Sequence, residues 1–170
     1  MDDLSASERL LSYLYYGEML LIIKDKKQLE RPCKPCENLA TGINVGNRLL
    51  EKLSETNDGV GLAANQIGID LSVCVVNVGK PIVFVNPRIS GKFGKSFFQE
   101  GCLSFPGDYV VTERWTNIVV SADNHEEQLI FSFDSDPLEC VCVQHEIDHL
   151  NGITMHDRQV DMEIFDGSNY

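Results

Sequence analysis

The sequence predicts an α+β fold, with antiparallel β-sheets formed from the middle of the chain and helices grouped at its ends. Three observations carry that prediction. Helical spacing of apolar residues is confined to the two ends of the chain, the middle is a run of short strand-like segments, and turn signals separate several of those segments. Short strands in sequence pair antiparallel, and helices grouped outside them give α+β rather than an alternating α/β order.

Residues 4–23 place Leu4, Leu10, Leu11, Leu14, Met19, Leu20 and Ile23 at roughly helical intervals, which predicts an N-terminal helix leading into an extended segment. A second helix is expected over residues 39–53, with Ile43, Leu49, Leu50 and Leu53 on one side and Asn57-Asp58-Gly59 as its stop. Strands are expected at 71–78, 82–85, 109–111, 118–121 and 129–133, with turns at 79–81, 91–94 and 123–124. Residues 138–150 are ambiguous by propensity, because Val141 and Val143 favour strands. The flanks decide for a helix of about four turns. Asp136 suits the N-cap, Pro137 the first turn and Glu139 a capping box, and Gly152 supplies the stop.

Composition bounds the function. The 170 residues, 43% hydrophobic and 24% charged, make one globular domain and rule out wholesale disorder. A net charge of −12 argues against partners that are phosphate backbones or anionic lipid surfaces. No apolar run approaches the ~20 residues of a membrane span. The six cysteines are Cys33, Cys36, Cys74, Cys102, Cys140 and Cys142, in a chain whose core needs no disulfide. With the acidic opening Met1-Asp2-Asp3, they fit a reducing cytoplasm, of a bacterium, an organelle or a phage-infected cell.

Three clusters carry chemistry. In His145-Glu146-Ile147-Asp148-His149, residues four apart share a helix face, so both imidazoles reach one metal ion with a carboxylate beside them. The competing reading, two surface histidines on an acidic helix, is weak in a chain with only four histidines. A third ligand is needed. The extended metalloprotease pattern would put it at Met155, one position short of His156, and a glutamate about twenty residues downstream would fall near Asn169. The ligand is therefore expected upstream, at Cys102 in Gln99-Glu100-Gly101-Cys102-Leu103-Ser104. A thiolate there suits iron, cobalt, nickel or zinc, against the alternatives of an inert buried cysteine or a Cys–His nucleophile. The third cluster, Gly59-Val60-Gly61-Leu62-Ala63-Ala64-Asn65-Gln66, allows close backbone approach and offers the Gln66 amide. It lacks the ending of a phosphate loop.

The ordered set Gly59–Gln66, Glu100–Ser104 and Gln144–His149 resembles the three signature motifs of the peptide deformylases. The similarity runs from about Leu21 to Gly152, and it implies antiparallel β-sheets packed around a central metal-binding helix. The resemblance implies removal of formyl from N-formylmethionyl peptides of nascent chains, with Fe(II) as the metal and zinc, nickel or cobalt as substitutes. It makes Cys102, His145 and His149 the ligands. Glu146 becomes the group that takes a proton from the attacking water and returns it to the leaving amine. Gln66 and the Leu103 backbone N–H become the donors to the developing oxyanion. The backbone of Gly61 would pair with the substrate peptide, and Glu100 is placed with the substrate-contacting residues. Leu138, Val141, Cys142 and His145 form one stripe at helical spacing, which Val60 and Phe98 would close into a methionine slot. Ordinary core packing is the commoner meaning of such a stripe. Position matching also pairs Asp148 with Arg114.

The expected layout is an N-terminal extension at 1–20 of unassigned role, a catalytic domain at 21–156 and a short acidic tail at 157–170. That tail lacks the basic character of ribosome-docking extensions in some bacterial members, so ribosome engagement is expected to be weak. Tyr109 stands near a position where family members often carry arginine. Cys33-Lys34-Pro35-Cys36 has no second Cys-x-x-Cys and reads as an irregular lead-in without function. Two readings from other classes compete: a zinc endopeptidase, and a catalytically silent deformylase-like binding domain.

Overall fold

The computed structural model describes residues 21–161. The helix expected at 4–23 lies outside them save for residues 21–23, which are not helical. Helix α1 (Lys26–Leu29) is a single turn capped by Asp25, whose carboxylate accepts from Lys27 N at 3.0 Å. Helix α2 (Leu39–Ser54) starts where Asn38 accepts from Thr41 N at 2.9 Å. Its buried stripe is Gly42, Val45, Gly46, Leu49 and Leu53. Ile43, expected on that side, is instead 41% exposed, because it sits one position off the stripe.

Among the described residues six strands form two antiparallel sheets, as the sequence predicts. The first, in the order β1-β2-β3, comprises β1 (Gly61–Ala63), β2 (Val73–Asn77) and β3 (Pro81–Val85). A 3-10 turn, Ala64–Ile67, follows β1. The second sheet, in the order β4-β5-β6, comprises β4 (Arg88–Cys102), β5 (Phe105–Ser121) and β6 (Leu129–Ser132). The expected turn at 91–94 is a correction: those glycines lie inside β4, beside a register shift between Ile89 and Gly91, and bend the strand without ending it. The separate strands expected at 109–111 and 118–121 are one strand, β5.

Helix α3 (Pro137–Leu150) is the centre of the molecule. Asp136 caps it by accepting from Glu139 N at 3.0 Å, while its own N–H goes to Ser132 O rather than to Glu139, so the capping box is half formed. Gly152 ends the helix at φ +72°, where a Cβ would strike the Glu30 carbonyl. Every residue of α3 from Cys140 to Leu150 is buried, since the helix packs on β1 and β2 of one sheet and β5 and β6 of the other. Strand β2 is buried on both faces. Cys74 and Val76 join the α3 cluster, and Val73 and Val75 pack with Val45, Leu49 and Leu53 of α2. The first sheet is thus held between two helices, which fixes β1 against the face of α3 that carries Glu146. A further 3-10 turn, Met155–Arg158, continues the chain past α3. Residues Asp157 to Val160, counted above with the tail, pack on the domain: Gln159 bridges to Thr112, and Val160 N donates to Val111 O at 2.9 Å. Among the described residues no helix is long and apolar enough to cross a membrane.

Candidate active site

The hairpin of β4 and β5 turns through two residues, Leu103 and Ser104, which delivers Cys102 to the face of α3. There its Sγ lies 3.3 Å from His149 Nε2, and His149 Nε2 lies 3.1 Å from His145 Nε2. The three donor atoms fall within 4.8 Å of one another. Two imidazole nitrogens and a sulfur facing one centre gain little from each other and much from a shared cation. His145 Nδ1 is tied to Glu100 Oε2 at 2.7 Å, which leaves Nε2 as the lone pair aimed at that centre. The set of one thiolate and two imidazoles, with a side left open to the cleft, fits a borderline divalent metal in a catalytic site.

Behind the ligands stands a buried charge array. Glu100 accepts from Arg114 Nε at 2.5 Å and Nη2 at 2.9 Å, and also from Thr112 Oγ1. Burial works to raise the Glu100 carboxyl, but the hydrogen bonds from His145 and Arg114 prevail and hold it down at about 2. Arg114 Nη1 donates to Asp148 Oδ2, the pairing expected from sequence. Arg158 adds a fork that sequence reasoning missed, from Nε to Asp148 Oδ2 at 3.0 Å and from Nη2 to Oδ1 at 2.8 Å. Gln144, the first residue of the third motif, clamps α3 to β5 by accepting from Trp115 N and donating to Trp115 O. Glu100 lines the cleft, yet both carboxylate oxygens are engaged in this array.

Glu146 points from the same helix face into the cleft, with Oε2 buried and without a partner. Burial pushes its carboxyl up to about 7. Gly61 makes that placement possible: a Cβ there would lie 2.6 Å from Cys142 Sγ and 2.9 Å from Glu146 Cδ, and closer still to Glu146 Oε1. Gln66 is held by accepting from Ala63 N at 2.8 Å, and its Nε2 reaches Ser104 Oγ at 3.1 Å and Cys102 Sγ at 3.5 Å.

The cleft has a volume of about 330 Å³. Val60, Gly61, Phe98, Leu103, Leu138, Val141 and Cys142 all lie in its wall, so the helical stripe faces the cleft as well as the core. Phe105, Asp58 and Asp108, not singled out from sequence, also line it, as does Tyr109, near the position where arginine is common in the family; among the described residues no lysine or arginine does. Cys33 and Cys36 are not disulfide-bonded, and burial pushes the Cys33 thiol up to about 12.

Three converging metal donors and a neighbouring carboxylate are what a protein needs to add water across a carbonyl, so the fold and site define a metal-dependent hydrolase. The chain belongs to the polypeptide deformylase family, whose model matches residues 19–164. It is 44% identical over 147 residues to the peptide deformylase of Aquifex aeolicus, covering 81% of this chain and 85% of that protein. It is 40% identical over 142 residues to peptide deformylase 1 of Bacillus anthracis, covering 79% and 88%. The crystal structure of the Synechococcus elongatus deformylase in complex with actinonin superposes with a TM-score of 0.75 at 31% identity, covering 86% of this chain and 81% of that one. The chain is a metal-dependent deformylase that removes the N-formyl group from newly made polypeptides, which displaces the endopeptidase reading.

Proposed function

We propose that deformylation here runs on Fe(II), with zinc, nickel or cobalt able to replace it, and that Cys102, His145 and His149 hold the ion. When bound, such an ion supplies Lewis acidity for activating water and polarising the formyl carbonyl. Glu146 Oε2 takes a proton from the water that attacks the formyl carbon. The Gln66 amide and the Leu103 backbone N–H donate to the oxygen as its charge grows. Glu146 then returns the proton to the amine nitrogen as the C–N bond breaks, and formate and the free N-terminus leave. The edge of β1 at Gly61 pairs with the substrate backbone. The methionine side chain fills the slot of Val60, Phe98, Leu138, Val141 and Cys142. Glu100 serves by orienting His145 rather than by touching substrate. The enzyme works in a reducing cytoplasm on nascent chains, without a stable hold on the ribosome, nucleic acid or membrane.

The observation that carries this reading is the unpartnered, buried Glu146 oxygen beside three converging donors. The test is formate release from a formylmethionyl tripeptide by protein loaded with each metal, together with Glu146→Gln. That variant is expected to keep its metal and lose roughly 10²–10⁴ in kcat. Loss of the metal, or near-normal formate release, refutes the proton-transfer role.

A further inference from the structure

We infer that Arg158 is a positioning residue for the metal ligand His145, acting through Asp148, Arg114 and Glu100. The segment from Met155 to Val160 then belongs to the active site rather than to a tail. The inference rests on the deformylase reading above and adds a residue that reading does not use.

Two links run from this segment to one carboxylate. The first is Arg158 to Asp148 to Arg114 to Glu100, every step a charged hydrogen bond, ending at His145 Nδ1. The second is Gln159, bridged to Thr112, whose hydroxyl donates to Glu100 Oε1. The segment is itself fixed. Met155 is 1% exposed, and Asp157 Oδ2 accepts from Thr154 N at 2.8 Å and from Thr154 Oγ1 at 2.7 Å. Arg158 also balances charge. Glu100 and Asp148 carry two negative charges, Arg114 supplies one positive, and Arg158 supplies the other. An exposed ion pair contributes little, and the Arg158 side chain is 43% exposed, but its partner Asp148 is only 12% exposed and is shared with Arg114, which is 4% exposed. Arg158 supplies the hydrogen bond to Asp148 Oδ1. Without that fork Asp148 is free to turn, and Arg114 with it, and the hold on His145 loosens.

The sign of the effect separates positioning from charge. Removing a cation near a metal site strengthens metal binding by simple Coulomb attraction. Loosening a ligand weakens it. The experiment measures release of Co(II) to a chelator from the full chain, well below its melting temperature, with kcat and KM alongside. Arg158→Met is expected to release metal roughly 10–100-fold faster and to lose a similar factor in kcat, with KM within about twofold of wild type. Arg158→Lys, which keeps the charge but not the two-pronged geometry, is expected to fall between. Lys34→Met, which breaks the exposed pair with Asp70 (3.0 Å), is the control expected to change nothing. Metal release and kcat at wild-type values in Arg158→Met, even with a lowered melting temperature, overturn the inference, as does slower release. A wild-type protein that holds Co(II) yet yields no formate overturns the deformylase reading instead, and the metal-release arm still judges Arg158.

Discussion

Replacing Gly61 by alanine puts one methyl group where the structure has none to spare. The Cβ would sit 2.6 Å from Cys142 Sγ and 2.9 Å from the Glu146 carboxylate carbon. Carbon contacts relax at about 3.5–4.0 Å, so both neighbours must yield by roughly 1 Å. Cys142 lines the cleft too, but its short side chain is held by a hydrogen bond from Sγ to Val60 O at 3.5 Å. Glu146 has the open cleft beside it, so the carboxylate is the group that moves. A displacement of about 1 Å in a reacting group costs on the order of 10²-fold in rate. Overpacking costs ~1–3 kcal/mol of stability, which is a fall of roughly 2–12 °C in Tm for a domain of this size.

The assay is the initial rate of formate release from a formylmethionyl tripeptide, with thermal melting and metal content measured on the same preparation. Metal content is expected to stay at wild-type levels, because the closest atoms to that Cβ belong to Glu146 and Cys142, not to a ligand. A folded, metal-replete Gly61→Ala variant within fivefold of wild-type kcat/KM refutes the reasoning. So does full rescue by Cys142→Ala, because relieving the sulfur alone leaves the contact with the carboxylate in place.

Three further outcomes are expected. Gln66→Ala should lose roughly 10²–10³ in kcat. Because it also strips the buried Ala63 N–H of its acceptor, it should lose ~1–3 kcal/mol in a denaturant melt; a rate within a fewfold of wild type would make Gln66 merely structural. The iron-loaded enzyme should inactivate in air faster than the zinc form, since a redox-active ion on the Cys102 thiolate invites oxidation of both; matching half-lives would refute this. Co-sedimentation with empty ribosomes at low salt should be weak and unchanged on deleting residues 162–170. Between Gly152 and Tyr170 the only lysine or arginine is Arg158, already committed to Asp148, against four carboxylates; tight pelleting lost with the deletion would show the tail to be a docking element.

What the sequence made legible was local. Helix α3 was readable because Asp136, Pro137 and Gly152 mark its ends; helical spacing made His145, Glu146 and His149 legible as a cluster, and Cys102 was the upstream candidate that the structure brings to the two histidines. Strand β1 was hidden because three residues, two of them small, are too short to show alternation, although Gly61 lies in the cleft wall. The middle of β5 was hidden for a better reason. Its inward positions include Thr112 and Arg114, polar residues that a hydrophobic pattern assigns to solvent, and they are buried because Glu100 awaits them. Arg158 gave no signal at all, since its partner is ten residues back and is reached only after the chain turns at Gly152.

The buried array depends on an irregularity that no local pattern announces. Next to the turn, Cys102 stands opposite Phe105, but from Gly101 onward the register shifts so that Gly101 faces Tyr109, Phe98 faces Thr112 and Ser96 faces Arg114. Residues directly opposite share a face of the sheet. With the register set at the turn and continued unbroken, Thr112 would face Lys95 and Arg114 would approach Phe93. Both would then lie on the outer face, away from Glu100. Three residues on β5, Pro106, Gly107 and Asp108, have no partner across the hairpin and absorb the shift, with Gly107 at φ +79°. An odd number is required, because an even number would return every side chain to its original face. The same three residues line the mouth of the cleft. One bulge therefore shapes part of the cleft wall and turns Arg114 inward to the carboxylate that hydrogen-bonds His145 Nδ1. Only changes of even length in this loop can leave the inner face intact, because any odd insertion or deletion also turns Thr112 and Arg114 away from Glu100.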